Sequence, residues 1–131
     1  MTGRRPIKPL FWVGSSYHDL MGFPEPVRRR FGYLLHVAQA GEKPPATKPL
    51  RGFGGAGVLE ALEDFEGNAF RVVFTIRFPS VVYVLHVFEK KSKRGIATPR
   101  RELDRIRIRL RQAMNASAEY SDGKETDSNE D

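Results

Sequence analysis

The sequence predicts an α+β fold, a small antiparallel-dominated sheet packed on a helical hairpin and closed by a C-terminal helix. Three stretches carry that prediction. Two apolar runs, Phe70–Phe78 and Val81–Phe88, are rich in β-branched and aromatic residues and are parted by Pro79-Ser80, the pattern of a β-hairpin. Val27, Phe31, Leu34, Leu35 and Ala38 recur at i, i+4, i+7, i+8 and i+11, the spacing of one helical face. Leu103, Ile106, Leu110 and Ala113 or Met114 repeat that spacing near the C-terminus.

Taken in order, residues 1–7 form a loose basic end, and Leu10–Val13 is a short apolar strand ended by Gly14. Ser16 with Asp19 three residues on matches the start of a helix. Gly22, Pro24 and Pro26 interrupt that helix, and a second begins near Pro26, since proline is tolerated in a first turn. Gly41 stops it, and the pair forms a hairpin lying on the sheet. Glu42–Gly57 reads as a loop, with three prolines, four glycines and the cations Lys43, Lys48 and Arg51. Val58–Phe65 is the first strand of a three-strand meander, turning through Glu66-Gly67-Asn68, and the N-terminal strand joins at an edge. Thr98-Pro99 reads as an N-cap with proline in the first turn of a helix over Pro99–Met114. The domain spans 8–115; residues 116–131 form an acidic tail with almost nothing to bury and are expected to be disordered.

Composition narrows the function. The 131 residues suit one domain, and no run reaches the roughly 20 apolar residues of a membrane-spanning helix. The N-terminal stretch has basic residues with no sustained apolar segment behind them, so it does not read as a signal peptide. There is no cysteine, which removes disulfide and thiol chemistry and fits a reducing cytoplasm. The only histidines, His18, His36 and His86, do not cluster, and no carboxylate group in the sequence suggests a metal or cofactor site. The net charge of +6 is uneven: residues 116–131 carry six acids and one lysine, and the body before them is strongly basic. Such a body attracts phosphate backbones or acidic proteins.

Three basic groups converge if the meander is real. Lys48 and Arg51 precede its first strand, and Arg71 starts the middle strand on the face opposite Phe70, Val72 and Phe74. Lys90, Lys91, Lys93 and Arg94 follow the last strand, whose end lies beside the start of the middle one. Arg77 shares the face of Arg71, and His86 is read as lying with Val82, Val84 and Phe88. Fixed cations around a phosphodiester stabilise charge as an oxygen attacks phosphorus, and RNA supplies that oxygen as its 2′-OH. The plainer readings are a solvated loop for the lysines, a cross-sheet pair with Glu60 or Glu63 for Arg71, and a satisfied core residue for His86. Gly52, Gly54, Gly55 and Gly57 do not form a phosphate loop, because no GxxxxGK[ST] is present and a strand follows.

The element order, with KPLRGFG before the first meander strand, FRVVFTIRF in the second and VYVLHVFEKKSK in the third, resembles the RelE/HigB superfamily of type II toxin–antitoxin systems. Residues 8–112 carry the likeness; its most specific part is VLHxFxKKS followed by Thr98, Pro99 and Glu102, which points to the phage-derived HigB-like branch. The resemblance implies a RelE-like fold and a cytoplasmic toxin that cuts mRNA on the ribosome without metal or cofactor. It also implies a cognate helix-turn-helix antitoxin that binds the toxin in a hetero-oligomer. By position, Arg71, Lys90, Lys91 and Lys93 match the catalytic cations, and His86 is a further catalytic candidate. Lys48, Arg51, Arg77 and Arg94 are the RNA-binding candidates. The alternatives are a non-catalytic, ParE-like inhibitor of DNA gyrase and a non-toxic module that binds RNA or an antitoxin.

Overall fold

The computed structural model describes residues 7–53, 55, 57–90 and 98–129, with side chains through 118. The elements are β1 (Leu10–Trp12), α1 (Ser16–Met21), α2 (Glu25–Gln39), β2 (Thr47–Pro49), β3 (Val58–Phe65), β4 (Asn68–Thr75), β5 (Val82–Lys90) and α3 (Arg100–Asn129). They form the expected α+β arrangement around one five-stranded sheet of order β1-β5-β4-β3-β2. β3, β4 and β5 are the antiparallel meander, and β1 adds at the β5 edge in parallel. Among the described residues no helix is long and apolar enough to cross a membrane.

Helices cover both faces. On one, Val27, Phe31, Leu34, Leu35 and Ala38 of α2 pack with Leu20 of α1 against Phe70, Val72 and Phe74. On the other, Ile106, Leu110 and Ala113 of α3 pack against Val73, Tyr83, Leu85 and Phe88. The alternation of β4 is thus that of a central strand with apolar residues on both sides. α2 ends in a Schellman motif: Gly41 has φ +84°, its N–H donates to Ala38 O, and Glu42 N–H reaches back to Val37 O.

Several expected boundaries move. The 42–57 segment is not all loop, because β2 pairs antiparallel with β3 from Thr47↔Ala61 to Pro49↔Leu59. Proline is tolerated there because β2 is an edge strand. The β3–β4 turn is tighter than expected, with only Glu66 (φ +50°) and Gly67 (φ +85°) between the paired Phe65 and Asn68. Positive φ at both positions matches the twist of the flanking strands. β4 ends at Thr75, so the β4–β5 connection spans 76–81 in place of a two-residue Pro79-Ser80 turn. Ser15, not Ser16, flanks α1 and bonds Asp19, whereas the buried Ser16 hydroxyl donates to Val84 O. The first α3 amides close on Pro99 O, and Thr98 is used elsewhere. Helical backbone runs past Met114 to Asn129, through the segment expected to be disordered; no proline breaks that stretch, and helix hydrogen bonds are local.

Candidate functional site

The strand registers align polar side chains on the sheet face that α3 covers. Lys48 pairs with Glu60, Glu60 with Val73, and Val73 with His86, making one row across four strands. Leu62, Arg71 and Phe88 form the adjoining row, followed by Ala69 and Lys90. Antiparallel partners share a face, so Lys90 lies on the same face as Arg71, one row further along.

Arg71 and Glu60 form a buried ion pair, Nη1 to Oε2 at 3.1 Å, with side chains 3% and 5% exposed. Thr98 closes it: its hydroxyl donates to Glu60 Oε2 at 2.8 Å and accepts from Arg71 Nη1 at 3.0 Å. Glu60 and Thr98 also line a cavity of about 380 Å³ between the β2 edge and the start of α3. Lys48 and Arg51 stand on its β2 side; Pro49, Leu50 and Leu103 supply apolar wall. The loop carrying Arg51 is anchored by Leu50 N–H to Val58 O and by Arg107, whose guanidinium sits 5.1 Å from the Phe53 ring centre. Two cations, a buried carboxylate and apolar wall therefore meet in one groove. Among the described residues no three His, Asp or Glu side chains gather as a metal site.

A second polar network lies deeper. Arg109 Nη1 donates to Leu85 O and to His86 Nδ1, both at 3.1 Å, and Arg109 Nη2 donates to Ser15 Oγ at 3.1 Å. His86 Nε2 is 2.9 Å from Glu102 Oε1. A guanidinium can only donate, so Nδ1 must be the acceptor and Nε2 carries the proton to Glu102. That fixes a neutral imidazole. Burial pushes His86 below its usual pKa, opposed by the hydrogen bond and charge of Glu102. Burial also lowers Arg109, helped by the charge of Arg105. The network ties α3 to β5 and α1.

These distances place the candidates named from sequence. Arg71 comes close to Lys90 as expected, but it lies beneath Glu60 and Thr98 and does not line the cavity. Lys48 and Arg51 do line it. His86 is 3% exposed, stacks on Phe88 at 5.1 Å and stays behind α3. It shares a face with Phe88 but not with Val82 and Val84, because the register slips between Val73 and Phe74. Leu85 is the extra residue of that bulge, and it shifts the alternation by one. Arg77 is not part of the group. It follows the opposite end of β4, with its guanidinium 3.7 Å from Met114 Sδ and 5.9 Å from the Phe78 ring. Lys91, Lys93 and Arg94 lie outside the described residues. Arg109, which the sequence does not single out among the arginines of the last helix, is 8% exposed. Its position three residues after Ile106, inside the apolar stripe, was the available signal.

Residues 18–111 match the model of one protein family, described as phage derived protein Gp49-like (DUF891). The chain belongs to that family. The match runs from α1 to within α3 and so includes every residue of both networks except Ser15. The Gp49-like family is a RelE/HigB-like toxin family. Searches of curated proteins and of solved structures return no match.

Proposed function

We propose that this Gp49-like protein is the toxin of a type II toxin–antitoxin pair, of the HigB-like branch, and that it cleaves mRNA on the ribosome. One observation carries the reading: Lys48 and Arg51 flank a groove floored by Glu60, on the sheet face that also bears Arg71 and Lys90. In this reading Lys48 and Arg51 hold the RNA phosphate and offset the charge that builds up as the 2′-OH attacks phosphorus and the 5′-oxygen leaves. Lys90 and the following Lys91, Lys93 and Arg94 supply further cations, and a lysine can protonate the leaving oxygen. Arg71 is a positioning residue that holds Glu60, and His86 another that holds α3. The basic body suits an acidic segment of a helix-turn-helix antitoxin, and the site of action is the cytoplasm.

Induced expression should arrest growth, lower amino-acid incorporation and leave new RNA 5′ ends within coding regions. The pair Lys48→Ala/Arg51→Ala should relieve the arrest and lower cleavage about 100-fold or more while melting like the wild type, since both residues are exposed. Arrest with DNA-damage signalling and intact mRNA would instead establish the gyrase-inhibitor alternative. Normal growth on induction would leave a non-toxic binding module.

A further inference from the structure

Most of the groove follows from that reading, but one feature is unexplained by phosphate binding. A site for an anion has no use for a carboxylate, yet Glu60 lines the groove while itself only 5% exposed. Its Oε2 is occupied by Arg71 and Thr98, and its Oε1 takes no hydrogen bond from any described residue. A buried carboxylate oxygen on a cavity wall, held rigid from behind, is a strong acceptor waiting for a donor. The charge of Arg71 offsets its repulsion of a nearby phosphate. Around it the groove is apolar at Pro49, Leu50 and Leu103, and its volume of about 380 Å³ is on the scale of a single unstacked nucleotide.

Resting on the RNA reading of this groove, we infer that Glu60 is its base-reading residue: it selects single-stranded RNA whose unstacked base carries an exocyclic amino group, and rejects uracil. Cytosine and adenine offer N4–H and N6–H to the carboxylate, and guanine offers N2–H. Uracil presents carbonyl O4 where cytosine has its amino group and keeps only the ring N3–H as a donor, so in the pose that seats a cytosine amino group an acceptor would face an acceptor. Lys48 and Arg51 grip the flanking phosphate and are indifferent to the base. Arg71 and Thr98 orient the carboxylate, so the three residues act as one reader.

The test uses the full chain and non-cleavable 2′-O-methyl hexamers, so that it reads recognition whether or not the protein cuts. Fluorescence anisotropy should give oligo-C at least tenfold tighter binding than oligo-U, and oligo-A at least tenfold tighter than the same chain of purine riboside, which lacks only the amino group. Glu60→Gln, whose amide can donate as well as accept, should bring both ratios towards one. Lys48→Ala/Arg51→Ala should weaken all four oligomers alike, with a shallower salt dependence. Equal wild-type binding within either pair overturns the inference, and that comparison needs no variant to fold. So does a Glu60→Gln protein that loses affinity for every oligomer by one common factor. Base preference without cleavage in cells would keep the reader and remove the nuclease. Cleavage with no base preference would do the reverse.

Discussion

Replacing Arg71 should unfold this protein more readily than any surface change, and the size of the effect follows from its surroundings. The guanidinium and the Glu60 carboxylate are 3% and 5% exposed, so solvent screens the pair weakly. Arg71→Met leaves the carboxylate buried, with the Thr98 hydroxyl as its one remaining hydrogen-bond donor among the described residues. Breaking one side of such a pair costs about 3–5 kcal/mol, because an uncompensated charge remains in the interior. At about 2.1 cal/mol/K of unfolding entropy per residue over 131 residues, Tm should drop by roughly 10–20 °C. Arg71→Met/Glu60→Leu removes both charges and should be more stable than either single variant, since a buried pair is often no better than apolar residues of similar volume. Thermal melts followed by circular dichroism, with urea midpoints at constant m-value, measure all three. An Arg71→Met loss under about 1 kcal/mol, or a double variant as weak as the two singles added, would refute the account of Arg71 as a buried structural partner.

Acidification should loosen α3 through His86. Its folded pKa lies below the usual 6.5, so the unfolded chain takes up the proton first; the stability it contributes is whole above about pH 6.5 and declines as pH falls through the folded value. Urea midpoints at pH 7.5 and pH 5 should therefore diverge less in His86→Phe than in the wild type, and equal divergence would contradict the neutral-imidazole geometry. Gly14→Ala should destabilise by about 2 kcal/mol or more, because φ is +58° there and the new Cβ would sit 2.8 Å from Nε of the buried Arg109. Arg105→Ala, on the exposed side of the same helix, should stay within about 0.5 kcal/mol, and thermal melts of the two compare them directly.

The helix face of α2 was legible because five apolar residues obey one period, and all five are buried. The same logic placed Arg71 opposite Phe70 and Val72, and the offered pairing with Glu60 is the one found. β2 was hidden because a three-residue edge strand is too short for any period and lies among prolines and glycines. The bulge at Leu85 was invisible because it depends on β4, not on β5 alone, and it decides that His86 meets Arg109. Thr98 looked like a cap, as its type and place allow, yet its hydroxyl is drawn to a carboxylate 38 residues away.

By itself, then, the chain determined its element types, its two apolar faces and a basic body, since periodicity and composition are local properties. Only the folded sheet decided which charges are spent on one another and which face the groove. Cross-strand register and the seating of α3 set those distances, and both arise from contacts between segments far apart in the chain.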